Sequence, residues 1–324
     1  MKIPFLKVHG SKNDFLLIDE RTQSFTLTEG ERAQLALTYC NREKGIGADG
    51  ILFVSESDHA EAKMIVMNAD GTEASMCGNG LRCVARYVSE TNGKDMFLVE
   101  TKQKTLHVGK EAPMATGVPA MKVEISPVSF RAATSGWLGD EESVQNQVLS
   151  FGPSSRLYTI VSIPNPHLVT FVDEEVLETT EQETVAKQLN EKNSFFEDGV
   201  NVSYVVPTDD GLFVRTYERG VGFTNACGTA MSASTYVACL QRRFNFGEKV
   251  DVWNPGGKVQ CVAYNTDDEA YVYLIGNATY EQKGHIDVTT GHTDVEEIFH
   301  DEATAYARFE QDVKDSQKRK SGCF

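Results

Sequence analysis

Two cysteines in this 324-residue chain are each followed by glycine at the start of a segment with a helical pattern. Cys77 stands in "NADGTEASMCGNGLRC" and Cys227 in "YERGVGFTNACGTA". A thiol at the N-terminus of a helix has its thiolate stabilised by unpaired N–H groups and by the helix dipole. The same N–H groups can hold a carboxylate. The sequence therefore predicts an activated sulfur beside an anion site in each half of the chain.

Each cysteine also ends a spacing of polar residues that occurs twice. The first set has intervals of 37, 18 and 9 residues, and the second has intervals of 36, 17 and 9. The members in order are Asn13, Gly50, Asn68 and Cys77 in the first set, and Asn165, Asn201, Glu218 and Cys227 in the second. Three intervals that repeat in order predict an internal duplication, with two domains of the same fold.

Paired thiols suit one kind of reaction. Inverting a carbon centre requires that a proton leaves one face while another arrives on the opposite face. Two groups on opposite sides, one a thiolate and one a thiol, can do this without moving the substrate. A cysteine hydrolase would need one nucleophile with a base and an oxyanion hole, and it would have no use for a second matched cysteine.

The elements that must position these residues are mostly short strands. Runs rich in β-branched and aromatic residues recur between Gly, Pro, Asn and Asp, whereas helical patterns are few. We predict an α+β protein of two similar domains, each a curved mixed sheet around a buried central helix. The predicted helices are Glu29–Asn41, Leu81–Glu90, Thr180–Lys192 and Ala230–Arg242.

Three other segments give weaker signals. "GIGADG", Gly45 to Gly50, fits a dinucleotide fingerprint, but it follows a helix and precedes a strand, so we predict a tight turn and no nicotinamide cofactor. The segment 108–120, "VGKEAPMATGVPA", resembles a loop. In the final segment, Val295, Ile298, Phe299, Tyr306, Phe309 and Val313 recur at roughly helical spacing and predict an extra helix packed on the body, with an oligomer contact or a partly disordered tail as alternatives.

The composition restricts the partners. The formal net charge of −16 disfavours an extended surface for nucleic acid. No apolar stretch is long enough for a membrane helix, and the N-terminus lacks a signal peptide pattern. Seven scattered cysteines without a CxxC pair predict reduced thiols in the cytoplasm and no metal site. We expect Cys83, Cys239 and Cys261 to be core residues, and we assign no function to Cys40 or Cys323.

The two cysteine segments, together with "KVHGSKNDFLLID", "GIGADG" and "IPNPH", closely resemble the signatures of the diaminopimelate epimerases. The resemblance implies interconversion of LL- and meso-2,6-diaminopimelate, on the bacterial route to lysine and peptidoglycan, without pyridoxal phosphate, another cofactor or a metal. It implies two domains with strands wrapped around a central helix, substrate in the cleft between them, and a homodimer. The implied domains are 1–126, completed by 279–292, then 127–278, followed by a helical extension or tail at 293–324.

Matching residues to the family implies individual roles. Cys77 would donate and Cys227 would accept the proton in the LL to meso direction, with roles exchanged in reverse. His167 and Glu218 would set the protonation of the thiols and hold the reacting amino group. The residues implied to recognise the polar ends of the substrate are Asn13, Asn68, Asn165, Asn201 and Arg219. Those implied to offer N–H groups to the reacting carboxylate are Gly78, Asn79, Gly228 and Thr229.

Two residues depart from the family pattern. Phe223 stands where glutamate is frequent, three positions after "ERG", and Ala230 replaces a frequent glycine after "CGT". Because neither is the proposed acid or base, we expect the reaction to be unchanged and only the packing of the neighbouring loop to differ.

Alternative functions remain open at this point. A related racemase or isomerase of the same fold could act on proline or another small acid, although "CGNG", Arg219 and the paired asparagines argue against it. A non-catalytic ligand-binding protein would need neither thiol. A thiol-redox protein is a weaker alternative, and we expect any disulfide between Cys77 and Cys227 to inactivate an enzyme of this kind reversibly.

Overall fold

The computed structural model describes residues 2–23, 26–267 and 269–321, with side chains as far as residue 316. The chain divides into two compact units. The first comprises Met1–Val123 and Ile275–Asp312, and the second comprises Glu124–Leu274 and Val313–Phe324.

The first unit contains a mixed sheet and a buried central helix. Its elements are β1 (Lys2–Gly10), β2 (Asn13–Asp19), α1 (Glu29–Tyr39), β3 (Gly50–Ser55), β4 (Ala62–Asn68), β5 (Glu73–Ala74), α2 (Gly78–Asn92), β6 (Met96–Glu100), β7 (Thr105–Ala115) and β8 (Val118–Ile125). Strands β2 and β3 are parallel, β3 and β4 antiparallel, β4 and β6 parallel, and β6 and β7 antiparallel. Helix α2 contacts β1, β2, β3, β4 and β7, so the sheet surrounds it on several sides.

The second unit repeats this connectivity. Its elements are β9 (Tyr158–Ser162), β10 (Pro166–Phe171), α3 (Glu181–Asn190), β11 (Asn201–Thr208), β12 (Gly211–Glu218), β13 (Gly222–Thr224), α4 (Gly228–Leu240), β14 (Lys249–Asn254), β15 (Gly257–Asn265) and β16 (Ala270–Asn277). Strands β10 and β11 are parallel, β11 and β12 antiparallel, β12 and β14 parallel, and β14 and β15 antiparallel. Helix α4 contacts β9, β10, β11, β12, β14 and β15.

The strand registers match as closely as the order of elements. Phe15 pairs with Gly50 in the first unit, and His167 pairs with Asn201 in the second. Asn13 and Asn165 each lie two residues before the first member of these pairs. The duplication predicted from spacing is therefore confirmed at the level of individual residues, and so is the mixed α+β class.

Both central helices are buried because small and apolar residues face the sheet on several sides. Every residue from Asn79 to Arg86 is buried in α2, and every residue from Ala230 to Cys239 is buried in α4. Helix α2 ends at Asn92 and is capped by Gly93, whose positive φ of 72° is the left-handed conformation that favours glycine. The four predicted helices are confirmed, with no end shifted by more than three residues and the start of α1 at Glu29 as predicted.

The chain returns to the first unit as β17 (Thr279–Asp287), β18 (His292–Ile298) and the part of α5 (His300–Ser321) that ends at Asp312. Strand β17 pairs with both β1 and β18. The predicted C-terminal helix is present, but its proposed start is wrong. Val295 and Ile298 lie in β18 and are about half exposed, whereas Tyr306 and Phe309 in α5 are buried. Val295 and Ile298 are three positions apart, so they fitted the helical spacing of the apolar residues that follow, although they lie in the edge strand β18. Cys323 lies outside the described residues.

Two further expectations have definite outcomes. "GIGADG" is a turn between α1 and β3, with Gly47 at a φ of 79°. The prediction of a loop at 108–120 is wrong, because β7 and β8 form an antiparallel hairpin there. None of the described helices is long and apolar enough to cross a membrane.

Candidate active site

Cys77 and Cys227 occupy the same structural position in their respective units. Each is the N-cap of the buried helix, α2 or α4, with closely similar backbone angles: φ −144° and ψ 109° at Cys77, φ −129° and ψ 106° at Cys227. At this position the N–H groups of the first helical turn have no acceptor within the helix. Gly78 and Gly228 are the first helical residues, which places the N–H groups predicted to bind a carboxylate beside each sulfur.

The Cys77 thiol has both a donor and an acceptor next to it. Its Sγ accepts a hydrogen bond from the Gly80 N–H at 3.4 Å and, as a thiol, donates to Asn13 Oδ1 at 3.7 Å. Burial raises the pKa of Cys77, while the N–H groups of Gly80 and Asn79 and the charge of Arg82 act in the opposite direction. The residue is therefore held as a thiol but retains groups that can stabilise its thiolate.

Asn13 connects Cys77 to two more polar side chains. Its Nδ2 donates to Asp49 Oδ2 at 2.7 Å, and its Oδ1 accepts from Asn79 Nδ2 at 3.3 Å. The Oδ1 of Asn79 is buried and has no hydrogen-bond partner among the described residues. Since an unpaired buried acceptor is costly, a donor group on a ligand would be favoured at this atom.

Arg82 supports the first turn of α2 from inside the unit. It is fully buried, its Nε donates to the Asn277 carbonyl at 3.1 Å, and one of its terminal nitrogens donates to Ser11 Oγ at 3.0 Å. Gly10 is required beside it, because a Cβ at this position would lie 2.8 Å from the Asn79 carbonyl oxygen. The turn that leads into Asn13 is thus packed directly on the helix that begins after Cys77.

The Cys227 thiol has different neighbours. Its Sγ lies 3.5 Å from Thr229 Oγ1. Burial, followed by the negative charge of Glu218, raises the pKa of Cys227 to about 12, while Thr229 and the Ala230 N–H act in the opposite direction. Glu218 in turn accepts a hydrogen bond from the Thr224 hydroxyl. A carboxylate beside this sulfur favours the thiol until a cation or a proton neutralises that carboxylate.

His167 is fully buried in β10 and is held in its neutral form. Its Nε2 lies 3.0 Å from Asn165 Oδ1, which assigns the ring proton to Nε2 and leaves Nδ1 as an acceptor. Nδ1 is buried and has no partner among the residues that the structure describes. Burial, with a contribution from the charge of Arg219, lowers the pKa of His167 to about 3. A neutral His167 can accept a hydrogen bond from an ammonium group.

The remaining predicted residues fall at strand ends. Asn201 is buried, and its Oδ1 accepts from the backbone N–H of Arg219 at 3.0 Å, which fixes the backbone from which the Arg219 side chain extends. Asn68 donates to Thr72 Oγ1 at 3.0 Å, and no described hydrogen bond joins it to Cys77 or Asn13. The structure thus brings Asn13 and Asn79 to Cys77, and Thr229 and Glu218 to Cys227, while Asn68 is bonded within its own turn.

Sequence reasoning missed three residues that contact this set: Asp49, Arg82 and Thr224. Asp49 was part of "GIGADG", which was interpreted only as a turn. Arg82 lies inside an apolar helix, where a fully buried arginine is itself unusual and is therefore a signal. Thr224 directly follows Phe223. Because side chains alternate between the two faces of a strand, the sequence could have indicated that these two point in opposite directions.

The two departures from the family pattern have structural explanations. Phe223 packs edge-on against Tyr217, with ring centroids 5.2 Å apart, and lies under the Arg215 guanidinium at 5.1 Å. Ala230 is fully buried, and its backbone N–H acts on Cys227 as described above. Phe223 therefore contributes packing, and the alanine leaves the helix-terminal donor in place.

The cysteines expected to be structural are buried. Cys83, Cys239 and Cys261 all lie in the core, and Cys40 is buried as well. Within the described ranges, no three histidine, cysteine, aspartate or glutamate side chains form a cluster that could hold a metal ion.

Comparison with known proteins places the chain among relatives. The family model described as "Diaminopimelate epimerase" matches residues 5–121 and 159–281. The chain is 44% identical over 319 residues to the diaminopimelate epimerase of Listeria innocua, covering 97% of this chain and 96% of the relative. It is 46% identical over 285 residues to that of Enterococcus faecalis, covering 86% and 87%.

Solved structures show the same fold at low identity. Methylitaconate-delta-isomerase matches with a TM-score of 0.63 and 15% identity, covering 88% of this chain and 95% of that one. A phenazine biosynthesis protein of the PhzF family from Bacillus anthracis matches with a TM-score of 0.61 and 14% identity, covering 89% and 100%. The family model and the two epimerases, which extend over both copies of the repeat, carry the stronger conclusion: this chain belongs to the diaminopimelate epimerase family.

Proposed function

We propose that this chain is an isomerase that interconverts LL- and meso-2,6-diaminopimelate without a cofactor, by proton transfer at the α carbon between two cysteines. The observation that carries the proposal is the equivalence of Cys77 and Cys227 as N-caps of the two buried helices. The 44% identity to a diaminopimelate epimerase over nearly the whole chain supports the substrate.

In the proposed mechanism one thiolate removes the α proton while the opposite thiol delivers another. In the LL to meso direction Cys227 accepts the proton and Cys77 donates. The electron pair left on the carbon spreads into the substrate carboxylate, where helix-terminal N–H groups of Gly78, Asn79, Gly228 and Thr229 stabilise it. Because these donors are fixed before the reaction, they need no reorganisation as charge develops.

The other predicted residues complete the proposal. The Glu218 carboxylate and the neutral His167 ring are acceptors for the reacting ammonium group, and its positive charge beside Glu218 would make the thiolate of Cys227 easier to form. Arg219 can bind both oxygens of the distal carboxylate. Amides at Asn13, Asn68, Asn165 and Asn201 offer donors and acceptors to the zwitterionic ends.

The domain boundaries predicted above, the homodimer and the cytoplasmic location are part of the same proposal, as is a place in lysine and peptidoglycan precursor synthesis. Light scattering on the purified protein tests the dimer. A homodimer has twice the mass of the 324-residue chain, and a monomeric mass under assay conditions would remove that part of the proposal.

The activity test is incubation with LL-diaminopimelate in D₂O under reductant, without added cofactor, followed by NMR of the α proton and chiral chromatography. We expect formation of the meso isomer with deuterium at the inverted centre. Cys77→Ala and Cys227→Ala should each abolish inversion, whereas Cys83→Ala, which removes a core thiol from the same helix as Cys77, should retain it. No exchange in folded protein with reduced thiols would reject the proposal, and a panel including proline and hydroxyproline would then test related racemases.

A further inference from the structure

Asp49 lies directly behind the amide that faces Cys77. Its Oδ2 accepts from Asn13 Nδ2 at 2.7 Å, and its Oδ1 accepts from Arg42 at 2.8 Å. The backbone around it is fixed on both sides, because the Asp49 N–H donates to the Asp14 carbonyl at 2.9 Å and the Asp49 carbonyl accepts from the Ala69 N–H at 3.0 Å. The carboxylate therefore has a defined position at the ends of β2 and β4.

A carboxylate can only accept hydrogen bonds, so it decides which end of an amide faces it. The NH₂ group of Asn13 must point to Asp49, which turns Oδ1 toward Cys77 and toward the NH₂ group of Asn79. The same logic extends one step further: because Asn79 presents its nitrogen to Asn13, its own oxygen is the buried acceptor that has no partner in the described part of the chain. One carboxylate thus sets the polarity of two amides.

The second unit lacks this arrangement. Gly50 and Asn201 are equivalent in register, so the residue equivalent to Asp49 is Val200. The equivalent of Asn13 is Asn165, whose Oδ1 faces His167 Nε2. Both sulfurs are present in the repeat, but among the described hydrogen bonds only Cys77 receives an oriented amide oxygen, since that of Asn165 faces His167. This difference between otherwise matched positions indicates a specific role for the carboxylate.

We infer that Asp49 is a positioning residue that directs the Asn13 oxygen at the Cys77 thiol and so keeps Cys77 in the proton-donating form. An acceptor oxygen stabilises the S–H form, whereas an NH₂ group at the same place would stabilise the thiolate. The Asp49 charge also raises the pKa of Cys77 directly, whereas the charge of Arg82 favours the thiolate; the remaining titratable neighbour is Cys83 of the helix that Cys77 caps. The catalytic consequence rests on the proposed function, but the orientation itself does not.

The test measures thiol reactivity and therefore needs no epimerase activity. Native protein is alkylated with iodoacetamide over a range of pH, digested with trypsin and analysed by mass spectrometry; cleavage after Arg82 separates Cys77 from Cys83. In Asp49→Ala the Asn13 amide is free to turn its NH₂ group toward the sulfur. We expect Cys77 to react about threefold faster near pH 7.5, since a tenfold gain in thiolate is partly offset by its lower nucleophilicity. Cys227 in the same sample should keep its wild-type rate.

Two matched variants separate orientation from charge. Asp49→Asn removes the charge, which itself raises the pKa of Cys77, but keeps an oxygen that can accept from Asn13, so Cys77 should accelerate clearly less than in Asp49→Ala. Asp14→Asn removes the neighbouring carboxylate, which binds Arg42, Lys7 and the Asp49 N–H but not the Asn13 side chain. Its amide oxygen can still accept from the Asp49 N–H, so Cys77 should stay at its wild-type rate. Circular dichroism and thermal melts confirm folding.

Two outcomes would overturn the inference: an unchanged Cys77 rate in folded Asp49→Ala, or an equal acceleration in Asp49→Ala and Asp49→Asn, which would assign the effect to charge alone. If wild-type protein epimerises diaminopimelate, the basic limb of kcat/KM for the LL isomer should also move to lower pH in Asp49→Ala. If the wild-type protein does not epimerise diaminopimelate, the proposed function fails, while the alkylation result still decides the role of Asp49.

Discussion

Arg86 of α2 and Glu302 of α5 form a bidentate ion pair, with both N–O distances at 2.7 Å. The same guanidinium stacks 3.6 Å from the centre of the Tyr280 ring, and Glu302 also accepts from the Tyr280 N–H at 3.0 Å. The C-terminal helix is therefore bonded to the helix that begins after Cys77. Strand β18 and helix α5 as far as Asp312 are part of the first unit.

We predict that Glu302→Ala lowers the free energy of unfolding by about 2 kcal/mol, because it removes charge-assisted hydrogen bonds from an arginine that is nearly buried. Urea unfolding of the purified protein measures the change. Glu297→Ala is the control: it breaks an ion pair between Glu297 and Lys283 in which both side chains are about half exposed, and it should cost almost nothing. Equal losses in the two variants would show that the Arg86 pair has no special weight.

A second prediction concerns stability at mildly acid pH. Burial lowers the pKa of His167 to about 3 in the folded protein, against 6.5 as its ordinary value. Between these pH values His167 binds a proton in the unfolded chain but not in the folded chain. The stability associated with a neutral His167 is therefore fully present above about pH 6.5 and is lost as pH falls. From pH 7 to pH 5, His167 alone should reduce the free energy of unfolding by about 2 kcal/mol.

The measurement is urea unfolding of the wild type and of His167→Gln at pH 7 and pH 5. The variant should lose less stability than the wild type between the two pH values. His59→Gln, at an exposed histidine, is the control and should keep the wild-type loss. Because burial also lowers the pKa of His9 to about 4, part of the acid sensitivity should remain in His167→Gln. An identical pH dependence in His167→Gln and wild type would contradict a neutral buried His167.

A third prediction separates the two thiols. Burial first, and the Glu218 charge second, raise the pKa of Cys227 to about 12. Glu218→Gln removes that charge and should increase alkylation of Cys227 at pH 8 by about threefold, because more of it is then thiolate. Cys77 in the same digest is the internal control. A rise at both cysteines would indicate general loosening of the fold, and no rise at Cys227 would show that burial alone controls this thiol.

Much of the fold could be predicted because the sequence contains it twice. The spacing from Asn13 to Cys77 and from Asn165 to Cys227 gave the duplication, and residue pattern gave the helices to within a few positions. The hairpin of β7 and β8 was missed because Gly, Pro and Ala in "VGKEAPMATGVPA" resemble loop residues, whereas pairing along the sheet outweighs their low strand propensity. Val295 and Ile298 were misassigned because two apolar residues three apart fit a helix as well as an irregular edge strand.

Site residues could be proposed from sequence where a residue type itself suggests chemistry, as with Cys77, Cys227 and Arg219, and their roles stay predictions. A residue that acts by orienting another could not be proposed in this way. Asp49 could not be identified from spacing, because its role depends on the 2.7 Å contact with Asn13, and that contact depends on the parallel register of β2 and β3. Likewise the neutral state of His167 follows from complete burial, which a single sequence does not reveal.

The last prediction uses two adjacent residues of β13 whose side chains point in opposite directions. Thr224 donates a hydrogen bond to Glu218, whereas Phe223 packs on Tyr217 and under Arg215. Under the proposed function, Thr224→Val leaves the Glu218 carboxylate without this donor, so it is free to leave the orientation in which it receives the substrate ammonium group. We expect kcat/KM for LL-diaminopimelate to fall about tenfold, the loss of one hydrogen bond to a charged group.

Phe223→Leu should leave kcat/KM within about twofold of the wild type, because it keeps an apolar side chain on the far face and does not touch Glu218. Initial rates by chiral chromatography give both values, and thermal melts show whether either variant is unfolded. If Phe223→Leu proved as damaging as Thr224→Val, packing of β13 as a whole, and not the bond to Glu218, would control this side of the site. The departure of Phe223 from the family pattern would then affect turnover as well as packing.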